Sequence, residues 1–270
     1  RIELQGTDLT RLSEAGMRSV RGARVGMIFQ EPGTSLNPVM RIGEQILEPI
    51  ERHTGLRGAQ ARARAVQWLG RVGIPEPKVR IDDYPFQFSG GQKQRIMIAI
   101  ALAAEPELLI ADEPTTALDV TVQAQVLALL ADIQKELGMA VLLITHDLAV
   151  VRHVANTVAL MRHGEIVETA PADQFFSSPK HPYARELFDA IPTFAKRGRA
   201  LSAQGQVREG LEQGDIARVS EMTEVLRVDQ LQVHYPIRKG LLRRVVAYNK
   251  VVQDVSFTLH ANETLALVGG

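Results

Sequence analysis

The sequence predicts an α/β fold built around a mostly parallel sheet, and three observations support this prediction. Short apolar runs with the length of buried strands recur along the chain, at residues 25–29, 108–112, 140–145 and 157–161. Helical periodicity separates them, because large apolar residues recur every three or four positions from Thr121 until Gly138. The runs on either side of that helix are apolar throughout, which indicates parallel strands covered by helices on both faces.

The composition excludes several classes of protein. The chain has 270 residues, 45% of them hydrophobic, which suffices for a substantial core without covalent cross-links. It has no cysteine, which excludes disulfide frameworks, cysteine-ligated zinc sites and cysteine nucleophiles. Its 31 basic and 31 acidic residues balance, so no overall charge attracts it to nucleic acid. The longest apolar run, residues 96–104, is about half as long as a membrane-spanning helix.

Other segments organise the rest of the chain. Residues 42–79 show no strand pattern but a second helical stripe, which predicts a helical insertion. The stripe consists of Ala61, Ala65, Val66, Leu69 and Val72. Residues 193–220 are rich in Gly, Gln and charge, which is typical of an interdomain linker. Residues 226–235 and 251–259 alternate apolar and polar side chains and predict half-exposed antiparallel strands, and residues 264–268 form a last apolar run before a Gly pair.

Two carboxylates follow the apolar run that begins at Leu108. Asp112 and Glu113 stand at the expected carboxyl end of a parallel strand, which is the edge where such sheets bind ligands. An Asp placed there can hold Mg²⁺ beside a nucleotide, while the adjacent Glu polarises a water molecule. The alternative is a strand that runs into a polar turn closed by Pro114, and these residues alone leave both interpretations open.

The segment FSGGQKQR, residues 88–95, leads directly into the apolar helix that begins at Ile96. Ser89 suits a helix N-cap, and Gly90 and Gly91 leave the first backbone N–H groups unobstructed, so an anion could bind there. The alternative is a helix that is merely well capped. That alternative does not explain two consecutive glycines, each of which costs about 1 kcal/mol against Ala in a helix.

Polar side chains also follow two other predicted strands. Thr145, His146 and Asp147 come at the end of the third apolar run, and Gln30 follows the first. A single His is usually structural, and no second His stands at ligand spacing on the same element, so a zinc site is not favoured. A polar contact between His146 and a phosphate is the functional alternative.

Together these motifs resemble the nucleotide-binding domain of ABC transporters over nearly the whole chain. The matching segments, in the family's order, are IFQEP at 28–32 (Q-loop), FSGGQ at 88–92 (signature, with Phe for the usual Leu), LLIADE at 108–113 (Walker B), TALD at 116–119 (D-loop) and ITHD at 144–147 (switch histidine). The resemblance implies a P-loop NTPase-like fold, with a mostly parallel sheet, a helical subdomain at about residues 42–104 and an antiparallel β-subdomain.

The resemblance also implies a role for each residue at the strand ends. Asp112 would hold Mg²⁺ through water, and Glu113 would act as general base on the attacking water. Gln30 would sense the γ-phosphate and the metal and couple to a membrane partner, while His146 would contact the γ-phosphate. This division fits phosphoryl transfer, which depends mainly on positioning and charge neutralisation.

ABC sites are composite, so the remaining motif residues are expected to act on a second ATP. By resemblance, Ser89, Gly90, Gly91 and Gln92 of the signature would cap an ATP held by another domain. The D-loop residue Asp119 would belong to the same nucleotide interface.

The chain has no P-loop of its own. A P-loop requires a Gly-Lys pair, because the Lys and the Gly-rich backbone hold the phosphates, and none of the lysines here follows a glycine. The resemblance therefore implies the middle of a tandem protein. Residues 1–192 would be a first nucleotide-binding domain without its P-loop segment, residues 193–223 a linker, and residues 224–270 the first strands of a second domain. We expect this chain alone to bind ATP weakly and not to hydrolyse it.

Two features of the last segment carry further expectations. Tyr235 matches the position of the aromatic residue that stacks on adenine in the family, the alternative being an ordinary half-buried strand Tyr. The run at residues 264–268 could dock beside Leu108–Asp112 in the first domain and complete its sheet in a circularly permuted order, since an unpaired apolar strand is prone to aggregate.

Two segments resemble one group within the family. SLNP at residues 35–38 and the segment 178–192 are similar to importers of oligopeptides, dipeptides and nickel. This implies an ATP- and Mg²⁺-dependent subunit that couples ATP hydrolysis to import, at the cytoplasmic face of the inner membrane. Its partners would be transmembrane permease subunits, docking on residues 42–79 and the Q-loop, and a solute-binding protein, with no nucleic acid.

Two other function classes stay open at this point. One is a soluble ABC ATPase that acts on DNA or ribosomes, although such proteins typically carry coiled-coil arms or strongly basic linkers. The other is a non-catalytic regulatory fragment, which the lack of a Gly-Lys pair allows for the chain as it stands.

Overall fold

The computed structural model of the chain describes residues 1–115, 118–190, 223–239, 244–261 and 265–267. The chain divides into two compact units, Arg1–Pro179 and Lys180–Gly269. In the described residues, the first unit contains a central sheet with its helices, and the second contains one helix and a long β-hairpin.

The first unit contains both strands and helices. Its strands are β1 (Glu3–Leu4), β2 (Thr7–Asp8), β3 (Val25–Ile28), β4 (Leu108–Asp112), β5 (Ala140–Ile144), β6 (Thr157–Arg162) and β7 (Glu165–Pro171). Its helices are α1 (Glu14–Val20), α2 (Pro32–Ser35), α3 (Ile42–His53), α4 (Gly58–Arg71), α5 (Pro77–Arg80), α6 (Gly90–Leu102), α7 (Val120–Leu137), α8 (Leu148–Val154) and α9 (Ala172–Ser177). In the second unit, α10 (Pro182–Ala190) precedes β8 (Glu224–Lys239) and β9 (Arg244–His260). The predicted α/β class is confirmed.

The central sheet of the first unit is parallel, with the strand order β3–β4–β5. Ile28 pairs with Ala111, and Asp112 pairs with Ile144, so the three strands end at one edge. Leu109 and Ala111 of β4 are fully buried in the main core. The predicted strands at residues 25–29, 108–112 and 140–145 are therefore confirmed to within one residue at their ends.

An ion pair helps to fix the register of β3 and β4. Arg24 precedes β3 and donates two hydrogen bonds, of 2.8 and 3.0 Å, to the carboxylate of Glu107, which precedes β4. The carbonyl oxygen of Arg24 also accepts from the backbone N–H groups of Glu107 and Leu108. The guanidinium of Arg24 holds the pKa of Glu107 below its usual value.

The fourth predicted strand, at residues 157–161, forms β6. This strand pairs antiparallel with β7 in a separate two-stranded sheet, with Thr157 opposite Pro171. β1 and β2 make a second small antiparallel pair.

The apolar run at residues 264–268 does not complete the central sheet beside β4. β4 pairs with β3 on one side and with β5 on the other, so both of its hydrogen-bonding edges are occupied. Residues 265–267, the described part of the run, form no strand, and the side chain of Leu267 is largely exposed. The prediction was wrong because a strand has only two edges, and neighbours from the same unit fill both of them. The circularly permuted order depends on a pairing between residues 264–268 and β4, and that pairing is therefore not available.

The helical subdomain predicted at residues 42–104 contains α3, α4, α5 and α6. The predicted stripe on α4 lies in the core, because Ala61, Ala65, Leu69 and Val72 are fully buried and Val66 packs against them half-buried. The apolar face of the helix therefore faces the rest of the subdomain.

Trp68 fills the centre of this stripe and is fully buried. The guanidinium of Arg71 lies 4.3 Å from the centre of its ring, and that of Arg64 lies 5.7 Å from it. Arg71 also forms an ion pair with Glu136 near the end of α7. These contacts join α4 to a helix that packs on the central sheet.

The long helix predicted from residue 121 is confirmed as α7. Val126, Leu130 and Ile133 form its buried face. The helix ends at Gly138, which adopts a φ of 63° in the left-handed region that favours glycine.

The two predicted antiparallel strands of the second unit are confirmed as β8 and β9. They pair along most of their length, with Tyr235 opposite Asn249 and Pro236 opposite Tyr248. The predicted linker at residues 193–223 lies almost entirely outside the described residues.

Gly26 of β3 allows the strand to lie directly against the end of α6. A Cβ at this position would lie 2.5 Å from the carbonyl oxygen of Ala101 and 3.0 Å from Cγ of Pro106. We therefore expect Gly26→Ala to destabilise the chain by about 1–3 kcal/mol through overpacking. Gly33→Ala is the matched control, because no described atom lies within 4 Å of its Cβ position. Urea denaturation measures both effects, and equal midpoints for the two variants would contradict the expectation.

Candidate functional site

Three side chains that the sequence singled out meet at the carboxyl edge of the central sheet. Gln30 lies two residues beyond β3, Glu113 follows β4 directly, and His146 lies two residues beyond β5. Because the parallel strands are in register, their ends bring these side chains within hydrogen-bonding distance of one another.

Glu113 is the centre of this group. Its Oε2 accepts a 2.7 Å hydrogen bond from Nε2 of Gln30, and its Oε1 lies 2.8 Å from Nδ1 of His146. The Glu113 side chain is 21% exposed, whereas that of His146 is 76% exposed. Both carboxylate oxygens are thus engaged, which fixes their orientation. Nε2 of the exposed imidazole remains the ring atom that can contact a ligand.

The backbone of Glu113 adopts a conformation that favours glycine. Its φ is 46°, and a residue with a Cβ in this region stores strain of order 1–3 kcal/mol. Its N–H group donates a 2.9 Å hydrogen bond to the carbonyl oxygen of Ile144, which continues the pairing with β5 beyond the end of β4. The strained turn therefore begins at the residue that carries the central carboxylate.

Asp112 and Gln30 fit a magnesium ion by the chemistry of their oxygen atoms. Asp112 ends β4, and Nε2 of Gln30 is directed to Glu113, so its carbonyl oxygen is the atom that a cation could bind. Within the described parts of the chain, no three His, Asp or Glu side chains lie close enough to hold a metal by themselves. A magnesium ion here would need further oxygen ligands from water or a bound phosphate, as Mg²⁺ beside a nucleotide has.

The glycine-rich segment forms the first turn of α6. Ser89 is the N-cap, with its Oγ accepting from the N–H of Gln92 at 3.3 Å, while Oε1 of Gln92 accepts from the N–H of Ser89 at 3.1 Å. This reciprocal pair is a capping box. A Cβ added to Gly90 would meet no described atom within 4 Å, whereas one added to Gly91 would lie 2.9 Å from Cγ1 of Val122.

Asp119 caps α7, since its carboxylate accepts a 2.9 Å hydrogen bond from the N–H of Val122. Residues 116 and 117, the first half of the TALD segment, lie outside the described residues.

Tyr235 lies in the second unit, on β8, and is 60% exposed rather than half-buried.

Sequence reasoning did not single out the contacts of Asp147 as part of the site. Its Oδ1 accepts from the N–H groups of Ala149 and Val150 and caps α8, and its Oδ2 accepts a 3.1 Å hydrogen bond from Nε2 of Gln123. An Asp between an apolar strand and a helix is a recognisable N-cap signal. No local signal marks Gln123, because its partner lies 24 residues away.

Comparisons with known proteins agree with this arrangement. Residues 1–116 match the ABC transporter family, and residues 167–215 match the C-terminal region of oligopeptide/dipeptide transporters. The chain is 46% identical over 269 residues to the uncharacterized ABC transporter ATP-binding protein YejF of Escherichia coli K12, covering 99% of this chain and 47% of that protein. It is 46% identical over 274 residues to the glutathione import ATP-binding protein GsiA of Pectobacterium atrosepticum, covering 98% and 44%. The chain thus spans a little under half the length of these curated relatives.

A solved structure shows the same fold. The chain is similar to the dimeric structure of MJ0796, a bacterial ABC transporter cassette, with a TM-score of 0.53 and 30% sequence identity. The shared part covers 61% of this chain and 69% of that cassette. The strand-end residues, the capped glycine-rich turn and these matches agree with one another, and the chain belongs to the ABC transporter family.

Proposed function

We propose that the chain is part of the ATP-binding and ATP-hydrolysing subunit of an importer for peptides or related small solutes. The observation that carries this proposal is the hydrogen-bonded group of Gln30, Glu113 and His146 at the carboxyl edge of a parallel sheet. The match to an oligopeptide/dipeptide transporter region supports peptides as the solute class. The relative named for glutathione import supports the direction of transport.

In this proposal Glu113 is the general base that accepts a proton from the water attacking the γ-phosphate. A general base must be ionised and correctly placed, and the contacts of Gln30 and His146 hold its two oxygens. His146 contacts the γ-phosphate through its other ring nitrogen. Gln30 senses the phosphate and the metal. Its direct hydrogen bond to Glu113 lets it align the general base when the phosphate and the metal are bound.

Asp112 and Gln30 are the proposed residues for Mg²⁺, with Asp112 acting through water. When bound, the ion would neutralise charge on the phosphates. Asp112 is fixed for this role by its place in β4, where it pairs with Ile144. The proposed general base, Glu113, is the next residue in the chain.

The signature residues Ser89, Gly90, Gly91 and Gln92 are proposed to cap an ATP held by a second nucleotide-binding domain. The first turn of α6 offers backbone N–H groups and the positive end of a helix dipole to an anion. Open space at Gly90, as far as the described residues go, supports close approach of a phosphate. Asp119 is proposed to line the same interface from the start of α7.

The second domain is proposed to lie in the same polypeptide. Residues 1–192 would form the first domain, residues 193–223 the linker and residues 224–270 the first strands of the second domain. The relatives are about twice as long as this chain, which supports a tandem arrangement. Tyr235 would stack on adenine in the second domain, and its exposed ring on β8 is suited to that contact.

The proposed partners are transmembrane permease subunits and a solute-binding protein, with the chain at the cytoplasmic face of the inner membrane. Among the described helices, none is long and apolar enough to cross a bilayer. Val39, Val79 and Phe86 are largely exposed apolar residues in and beside the helical subdomain. They support docking of a permease segment on this region and the adjacent Q-loop.

Replacing the general base tests the catalytic assignment. We expect Glu113→Gln, in the intact protein, to lower kcat for ATP by about 10²- to 10⁴-fold because the shape is kept and the base is lost. Binding of ATP should persist. Glu165→Gln, at an exposed position of the β6–β7 hairpin, is the matched control. Phosphate release and nucleotide binding measure the two effects, and wild-type turnover in the Glu113 variant would refute the assignment.

The composite arrangement predicts that the 270-residue chain alone binds ATP weakly and hydrolyses none. No lysine in the chain follows a glycine, so no segment of it can hold the phosphates in the manner of a P-loop. Calorimetry and phosphate release from the purified chain test this expectation. ATP hydrolysis by the purified chain would contradict the expectation if it disappears in the Glu113→Gln variant. Hydrolysis by a contaminating ATPase would not change in that variant.

Two tyrosines of the hairpin provide a matched pair for the adenine contact. Tyr235 and Tyr248 are both 60% exposed and lie on opposite faces, because Tyr235 pairs with Asn249 rather than with Tyr248. We expect Tyr235→Leu in the intact protein to weaken ATP binding by about 0.5–1.5 kcal/mol, and Tyr248→Leu to leave it unchanged. Titration with a fluorescent ATP analogue measures both, and equal affinities would show that Tyr235 does not stack.

A further inference from the structure

Helix α7 contacts the signature helix α6 at two points, where Gly91 of α6 meets Val122 of α7 and Arg95 of α6 meets Gln125 of α7. Gly91 and Arg95 are four positions apart on α6, and Val122 and Gln125 are three apart on α7, so each pair lies on one face of its helix. The absence of a Cβ at Gly91 lets Val122 approach, and Nη2 of Arg95 donates a 2.8 Å hydrogen bond to Oε1 of Gln125.

The second terminal nitrogen of the Arg95 guanidinium is also hydrogen-bonded. Its Nη1 donates a 2.9 Å hydrogen bond to the carbonyl oxygen of Val72, at the C-terminus of α4, where a cation is also favoured by the helix dipole. Gly73 makes room for this guanidinium, because a Cβ there would lie 2.9 Å from Nη1, and its φ of 78° suits glycine. Arg95 therefore binds α6, α4 and α7 together.

The opposite side of α7 holds the loop that carries the switch histidine. Gln123 lies two positions before Gln125, about 200° around the helix, and its Nε2 donates a 3.1 Å hydrogen bond to Oδ2 of Asp147. Asp147 is adjacent to His146 and caps α8 with its other oxygen. The first half of α7 thus lies between the signature helix and the switch loop, with a polar contact on each side.

We propose that α7 is a strut that couples the signature helix to the switch loop, with Arg95 and Gln123 as positioning residues. This inference rests on the proposed function, in which the switch loop serves one ATP and the signature of the same domain serves another. A displacement of α6 on closure over the second ATP moves α7 through Arg95. That movement reaches the loop of His146 through Gln123, so the two nucleotide sites are mechanically linked within one domain.

The first test uses the ATPase activity of the intact protein. Gln123→Glu keeps the length of the side chain but places a carboxylate against Asp147, so we expect kcat to fall about tenfold with little change in KM for ATP. Gln134→Glu makes the same chemical change near the end of α7, where the side chain is half-buried and away from Asp147, and should keep wild-type activity. Equal kcat values for the two variants would overturn the proposal.

A reversed hydrogen bond separates positioning from a general structural effect. In the double variant Gln123→Glu with Asp147→Asn, the carboxylate at 123 can accept from the amide at 147, and Asn is still a good helix N-cap. We expect this double variant to recover most of the lost kcat. A double variant no more active than Gln123→Glu alone would contradict the role assigned to the contact.

Hydrogen exchange tests the coupling without any need for activity. We expect Arg95→Met to accelerate amide exchange in residues 145–150 as well as in α6, compared with Lys93→Met on the same helix. Acceleration confined to α6 would show that α7 transmits nothing and would overturn the inference. Failure of the proposed function would give a different result. The wild-type protein would then show no ATP turnover that Glu113→Gln removes, whereas the exchange pattern could still be measured.

Discussion

The hydrogen-bonded register of β4 between β3 and β5 determines where the chemistry of the first unit lies. A shift of one residue would turn Leu109 and Ala111 out of the core and turn their neighbours, including the carboxylate of Asp112, into it. Burial and pairing therefore enforce the same register. The Arg24–Glu107 ion pair and its backbone hydrogen bonds begin the pairing at the opposite end of the strands. Because the strands are parallel and aligned, the chain leaves the sheet at three adjacent points on one edge.

The helices extend this alignment to parts of the chain that never touch the strand ends. Gly26 brings β3 against the end of α6, so the helix that begins at the signature turn is anchored on the sheet at its far end. α7 packs beside it and connects the edge of β4 with the start of β5. The glycine-rich turn, the strand ends and the loop after β5 are therefore parts of one packed unit.

The central sheet could be predicted because buried parallel strands are continuous apolar runs, which are visible without knowledge of their neighbours. Gln30, Glu113 and His146 could be located for the same reason, since they follow such runs directly. The pairing partner of the run at residues 264–268 could not be predicted. Apolarity shows that a strand would be buried, but it does not show beside which other strand it would pair. Gln123 could not be singled out either, since a polar residue on an amphipathic helix gives no local sign of the distant side chain that it contacts.

Trp68 is the one tryptophan in the sequence, and its position has a spectroscopic consequence. The indole is fully buried, and its Nε1 has no hydrogen-bond partner among the described residues. The tryptophan emission of the chain therefore comes from a single buried environment, shielded from collisional quenchers in solution. Since Arg71 lies over the ring and is paired with Glu136 of α7, this emission is an intrinsic optical reporter of the contact between α4 and α7.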